Sequence, residues 1–180
     1  MMRVNPVLSD KESERLCRAL RLVHPRYGLL WLLGTRSGLR ISDVLQLRVR
    51  EAKRKVWRVK EKKTGKIRII DYPADVREAI DRVIRLEGLK DKDYLVFSRT
   101  TRHDRPVSRQ HANYVISRTA SRIGLEGVGT HSMRKTYAIN FVRSGGDLEA
   151  LQGILNHKYL STTLTYLLTA NRDGSVRLSV

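Results

Sequence analysis

The sequence predicts a mixed α+β domain, mainly α-helical, with one small antiparallel sheet. Apolar residues recur at helical spacing, between recognisable start and stop signals, through most of the chain. Two-residue alternation is confined to the stretch from Lys53 to Asp71 and to a short tail, Ser175 to Ser179. The 180 residues suffice for one well-packed core, and no repeat, low-complexity tract or linker divides them, so residues 1–180 read as a single domain.

Each element has a local reason. Ser9-Asp-Lys-Glu12 is a capping box that opens a helix with Leu16, Leu20 and Val23 on its apolar face. Pro25 starts a second helix, Tyr27 to Gly34, which is apolar nearly all round and therefore central; Gly38 breaks it. The run R-I-S-D-V-L-Q-L from Arg40 predicts a short amphipathic helix with Ile41, Val44, Leu45 and Leu47 inward. Val56 to Val59 and Ile67 to Ile70 flank K-K-T-G-K, which predicts a β-hairpin with Thr64-Gly65 at its turn. Pro73 leads into a helix through Val76, Ile80, Val83 and Ile84 that Gly88 ends. Tyr94 to Phe97 is an apolar run that fits strand or helix, and Ser98 to Pro106 reads as a polar surface loop. Ser108 caps a helix through Ala112, Val115, Ile116 and Ile123. Thr130 caps the next, with Met133, Ala138, Phe141 and Val142 at helical spacing and Gly145-Gly146 as its stop. After Tyr166, Asn171 to Gly174 reads as a turn and Ser175 to Ser179 as a short strand.

Composition narrows the function. There are 36 Lys and Arg against 18 Asp and Glu, a formal net charge of +18, spread through the folded part. Such a charge implies a polyanionic partner, with nucleic acid ahead of an anionic membrane surface. No apolar run is long enough to span a membrane, and the N-terminus lacks a signal-peptide core. Cys17 is the single cysteine, so neither an internal disulfide nor a cysteine-based zinc site is available, which fits a reducing compartment. His103-Asp104 has no further ligand types nearby to complete a metal site. Clustered carboxylates for two-metal catalysis and a phosphate-cradling glycine loop are also missing.

The chemistry-bearing residues concentrate between Thr130 and Tyr166. His131 and Arg134 stand three residues apart on the first turn of a helix, whose free N–H groups and dipole already favour an anion, so the pair suggests a phosphate site. His157 and Tyr166 follow. Taken alone, each of the four is more often a capping or packing residue. Arg40, near a turn, is either solvated or aimed into a site. Lys62, Lys63 and Lys66 are either a solvated run protecting a sheet edge or a surface lying on a DNA backbone, with one lysine reaching the chemistry.

Together, S-G-L-R-I-S-D at Arg40, K-T-G-K at Lys63, H-S-M-R-K at His131 and Arg134, L-N-H-K at His157 and S-T-T-L-T-Y ending on Tyr166 resemble the catalytic domain of the tyrosine recombinases, the phage integrase family. The resemblance runs from about Ser9 to Tyr166. It implies that family's catalytic-domain fold and a site-specific recombinase that breaks and rejoins DNA without metal, ATP or other cofactor. Arg40 and Arg134 would clamp the phosphate's non-bridging oxygens, and His131 and His157 would hydrogen-bond the same phosphate and help move the tyrosine's proton. Tyr166 would be the nucleophile, forming a 3′-phosphotyrosyl link and freeing a 5′ hydroxyl. Lys63 falls on the family's hairpin lysine that protonates the leaving oxygen, with Lys62 and Lys66 as rivals. Asp43 matches an acidic position that supports the site, either through the family role or by pairing with Arg40 or lysine side chains. Lys62, Lys66, Lys135 and Arg36 would contact DNA. Tyr159, Tyr137 and Tyr114 are poorer nucleophiles, Tyr159 by spacing and the other two because they fall within packed helices.

The resemblance further implies double-stranded DNA as partner, a homotetramer on paired sites that is monomeric in isolation, and a cytoplasmic, nucleoid-associated place of action. The alternatives are DNA relaxation of the type IB topoisomerase kind, which shares the chemistry, and a non-catalytic DNA-binding module of the same fold. Departures from the family pattern are also visible. Fewer than ten residues precede the first helix, where the family carries an N-terminal DNA-binding domain, so the chain reads as a catalytic fragment or a minimal recombinase that binds DNA weakly and salt-sensitively. Asn156 stands where glycine is usual, and Lys135 where histidine is common. Val176 to Val180 are expected to add a strand to their own or a neighbouring subunit. The six catalytic candidates are expected to converge on one basic face, with Tyr166 free to swing away from it when DNA is absent.

Overall fold

The computed structural model describes residues 9–170 except Lys55 and Arg102. The elements run α1 (Asp10–Val23), α2 (Pro25–Ser37), α3 (Ile41–Val44), α4 (Val49–Ala52), β1 (Trp57–Lys60), β2 (Ile67–Ile70), α5 (Ala74–Glu87), α6 (Arg109–Arg122), α7 (Thr130–Arg143), α8 (Leu148–Leu155) and α9 (Leu160–Ala170). The domain is mainly helical with a two-stranded antiparallel sheet, the fold class expected. No helix among the described residues is long and apolar enough to cross a membrane.

α2 is the centre. Leu29, Leu30, Trp31 and Leu33 are buried within it, and α1, α5 and α7 pack around it. Trp31 donates its indole N–H to Ser13 Oγ on α1 at 3.0 Å, so the largest core side chain leaves no polar atom unmatched. The capping box of α1 forms as read, with Ser9 Oγ accepting the Glu12 N–H at 3.1 Å. Val23, expected on the apolar face of α1, is instead half exposed at the helix end. Cys17 is buried, and its thiol lies 3.6 Å from the Gly28 carbonyl; burial pushes its pKa up, consistent with a packing role.

α2 ends at Gly38 in the left-handed region, φ 61°. A Cβ at this position would stand 2.5 Å from the Tyr137 ring, so both backbone and space call for glycine. The chain thereby turns sharply, and Arg40 emerges two residues later in extended conformation at the start of α3. The helix expected from Arg40 to Leu47 is shorter, ending at Val44, because the Leu47 carbonyl is drawn away to accept the Leu95 N–H at 3.0 Å. The ambiguous run from Tyr94 to Phe97 is neither strand nor helix: Tyr94 bridges to Arg48 and Phe97 to Pro106, with a turn at Leu95 and Val96 between them, and Leu95, Val96 and Phe97 are buried. α4 has no counterpart in the sequence reading, since four residues are too few to show a period.

The hairpin pairs Trp57 with Ile70 and Lys60 with Ile67, leaving Glu61 to Lys66 for the turn. Trp57, Val59 and Ile70 face the core. α7 begins one residue earlier than expected: its N-cap is Gly129, and Thr130 is the first helical residue. The Thr130 N–H and hydroxyl both reach Asn113 Oδ1 on α6, at 3.0 and 3.2 Å, so a partner from another helix replaces the local cap. Met133 belongs to the main core, whereas Ala138 and Ile139 join Leu151, Leu155 and Leu167 in a second, smaller cluster beneath α8 and α9. The expected turn and strand after Asn171 lie outside the described residues.

Candidate active site

The end of α2, the hairpin turn, the start of α7 and the α8–α9 turn meet around one cleft of about 620 Å³. Arg40, Lys63, His131, Arg134, His157 and Tyr166 all line it.

Arg40 reaches it from the turn after Gly38, and its guanidinium is ion-paired with the carboxylate of Glu61, at the base of the hairpin turn. Glu61 is wholly buried, and Arg68 Nη1 stands 3.9 Å from its second oxygen. A buried carboxylate paired with a guanidinium fixes the side chain it faces. Asp43 is also buried, but its carboxylate forms no ion pair with the Arg40 guanidinium; only its backbone N–H meets Arg40, at the carbonyl, 2.8 Å away. Its Oδ1 accepts the Lys62 backbone N–H at 3.0 Å, so its carboxylate anchors the start of the lysine-bearing turn.

Gly65 closes that turn with φ 69°, its N–H bonded to the Glu61 carbonyl at 2.8 Å. Lys63 thereby sits on the cleft wall, and Lys62 lines an adjoining groove with Arg40, Lys63 and Arg109. Lys66, exposed in the same turn, is not part of the cleft lining.

Arg134 is 6% exposed and donates to the carbonyls of Gly38, at 2.5 Å, and of Leu155. It therefore ties the end of α2 to the end of α8. Burial lowers its pKa to about 10, and it remains a cation at neutral pH. His131, one turn earlier, is exposed at the cleft mouth, and its pKa is lowered by partial burial and by the charges of Arg134 and Lys135.

α8 ends at Asn156 with φ 54°, and the reversal delivers His157 to the cleft. His157 Nδ1 lies 3.0 Å from the buried Thr163 hydroxyl, which leaves Nε2 available to a substrate. Its pKa is lowered by burial and then by Arg134 and Arg40. Tyr166, one turn before the end of α9, sets its ring edge-on to His157 with centroids 5.6 Å apart and Lys135 Nζ 5.5 Å over its face. Its phenol pKa is pushed up to about 12 by burial, which outweighs the opposing pull of Arg134 and Arg40.

Some expectations land elsewhere. Arg36 lies outside the cleft, paired with Asp75 of α5 at 3.1 Å. Tyr114 is exposed on α6 and not packed inside it, and neither it, Tyr137 nor Tyr159 lines the cleft. His103 sits against Phe97 with ring centroids 4.1 Å apart, the position of a packing residue. Conversely, Glu61, Arg109 and Lys158 belong to the site and were not singled out in the sequence: a glutamate inside a lysine run reads as a solvated charge, and the other two carry no local pattern.

This arrangement matches a known family. The phage integrase family model covers residues 6–172 of the chain. The chain belongs to the phage integrase family. Among members, it is 34% identical over 166 residues to the probable integrase/recombinase YoeC of Bacillus subtilis, covering 91% of this chain and 89% of that protein. It is 26% identical over 161 residues to the tyrosine recombinase XerA of Thermococcus onnurineus, spanning 88% of this chain but 56% of the relative. Of solved integrase-family structures, XerA recombinase superposes with a TM-score of 0.74 at 23% identity, over 96% of this chain and 66% of that one. A lambda integrase dimer bound to a COC′ core site gives 0.73 at 19% identity, over 98% and 51%. Several integrase-family relatives are thus about twice the length of the segment matched here, whereas YoeC is matched over most of its own.

Proposed function

We propose that this chain is a site-specific recombinase that cleaves and rejoins double-stranded DNA through a covalent 3′-phosphotyrosyl intermediate. The observation that carries the reading is the gathering of two guanidinium groups, two imidazoles, a lysine and a tyrosine around one cleft of a chain with net charge +18.

In this mechanism Arg40 and Arg134 bind the non-bridging oxygens of the scissile phosphate and stabilise the charge that grows on them. Tyr166 Oη attacks phosphorus as the bond to the 5′ oxygen breaks. His157 is the neighbour best placed to take the phenol's proton, and Lys63 gives one to the departing 5′ oxygen. The phosphotyrosyl ester conserves the energy of the broken bond, so attack by a 5′ hydroxyl rejoins the strand and regenerates the phenol. We further propose, from the family resemblance of the motifs, that copies of the chain assemble as a tetramer on two paired DNA sites.

Two candidate attachment sites on one plasmid separate this reading from simple relaxation. Recombinant circles support it; relaxation of plasmids bearing a single site, without recombinants, favours the topoisomerase-like alternative. A pH profile tests the proton path. Both histidines have pKa values below the ordinary 6.5, so they stay neutral as pH falls through 6.5 and protonate only further down. Single-turnover cleavage is therefore expected to hold steady from pH 8 to 6.5 and to fall at lower pH, about tenfold per unit once His157 titrates. A midpoint above 6.5 would remove His157 as the base.

A further inference from the structure

We propose that Asn156 is a positioning residue whose side-chain amide holds the hairpin turn, and with it Lys63, against the turn that carries His157. The inference rests on the reading of Lys63 as the proton donor. Asn156 occupies the left-handed region, φ 54°, which glycine enters freely and asparagine more readily than most residues, and the family resemblance places glycine there. Glycine would meet the backbone requirement and offer nothing to the hairpin. Asparagine meets it and adds a side chain. Its Nδ2 donates to Thr64 Oγ1 at 2.8 Å and lies 3.4 Å from Glu61 Oε2, across more than ninety residues of sequence. The carboxylate only accepts, so the amide nitrogen is the end that faces it.

These contacts make one network. Glu61 Oε2 receives Arg40 and, at 3.3 Å, the Thr64 hydroxyl, and Asn156 touches both Glu61 and Thr64. The turn needs such an anchor, since every residue from Lys62 to Ile67 is exposed. A long lysine on an unanchored turn spends little time aimed at one oxygen, and small misplacement of a proton donor is costly in rate.

The test is Asn156→Gly, which keeps the left-handed cap and deletes the amide. Cleavage is measured on a nicked DNA substrate and on the same DNA with sulfur in place of the scissile 5′ oxygen, whose thiolate leaves without a proton. We expect Asn156→Gly to slow cleavage of the oxygen substrate by about tenfold, and the sulfur substrate to restore it to within about twofold of the parent. Thr64→Ala, which removes the partner from the other side, is expected to do the same. Equal rates for Asn156→Gly and the parent on oxygen, or a loss that sulfur does not restore, would overturn the proposal. Hydrogen exchange of the amides from Lys62 to Lys66 gives a readout that does not depend on catalysis: it should quicken in Asn156→Gly, and unchanged exchange would also overturn the proposal. Lys63→Ala isolates the underlying reading. If it cleaves both substrates as the parent does, Lys63 is not the acid, while the exchange result still decides whether Asn156 holds the turn.

Discussion

Tyr166→Phe should form no covalent adduct with DNA while binding it as the parent does. The substitution removes one oxygen and keeps the ring, so the edge contact with His157 and the position beneath Lys135 are retained. Without the oxygen no phosphotyrosyl ester is possible, and the expected loss is about a thousandfold or more. A nicked suicide substrate, from which the cleaved strand diffuses away, reads this on a denaturing gel as the presence or absence of a slow-migrating band. The background should be low, because Tyr114, Tyr137 and Tyr159 do not line the cleft. An adduct that survived in the phenylalanine variant would transfer the nucleophile's role to another residue.

Arg134→Ala should lose both cleavage and stability. A preorganised donor on a phosphate undergoing substitution contributes on the order of a hundredfold to a thousandfold in rate, and Arg134 is held for that task by two carbonyls. The same carbonyls, of Gly38 and Leu155, lose their donor in the variant, at a cost of about 1–3 kcal/mol. Urea unfolding followed by circular dichroism reads the second effect, and the suicide substrate reads the first. Arg134→Lys keeps the charge, but a single ammonium does not reproduce the fork that spans two carbonyls and a phosphate, so little of either loss should return. Parental cleavage by Arg134→Ala would remove it from the mechanism.

How much was legible in the sequence follows from how local each determinant is. α1, α2, α5, α6 and the hairpin announce themselves through Ser9 and Glu12, Pro25 and Gly38, Pro73 and Gly88, Ser108, and Thr64-Gly65, all within a few residues of what they cap or turn. The misread boundaries depend on distant partners. Thr130 is capped from Asn113, and Leu47 is pulled out of its helix by Leu95. The site shows the same division. Arg40, Lys63, His131, Arg134, His157 and Tyr166 were visible as motifs, and the fold brings them to one cleft. The roles of Glu61 and of the Asn156 side chain were not visible, because each exists only where segments remote in sequence touch. Asp43 stands out by its spacing to Arg40, but that spacing carries no sign of its contact with the Lys62 backbone.

The division of the apolar interior into two clusters has a consequence for heat inactivation. Tyr166 packs with the smaller cluster, five buried side chains under α8 and α9, while Arg40 and the hairpin are set by the larger one around α2. Units with fewer buried apolar contacts open at lower free energy than the whole molecule. On warming, the nucleophile's helix should therefore part from the arginine clamp before the main core melts. Cleavage activity would disappear several degrees below the midpoint of helix loss, and cooling from that interval would bring it back, since the larger core would still be standing as the template on which α8 and α9 redock.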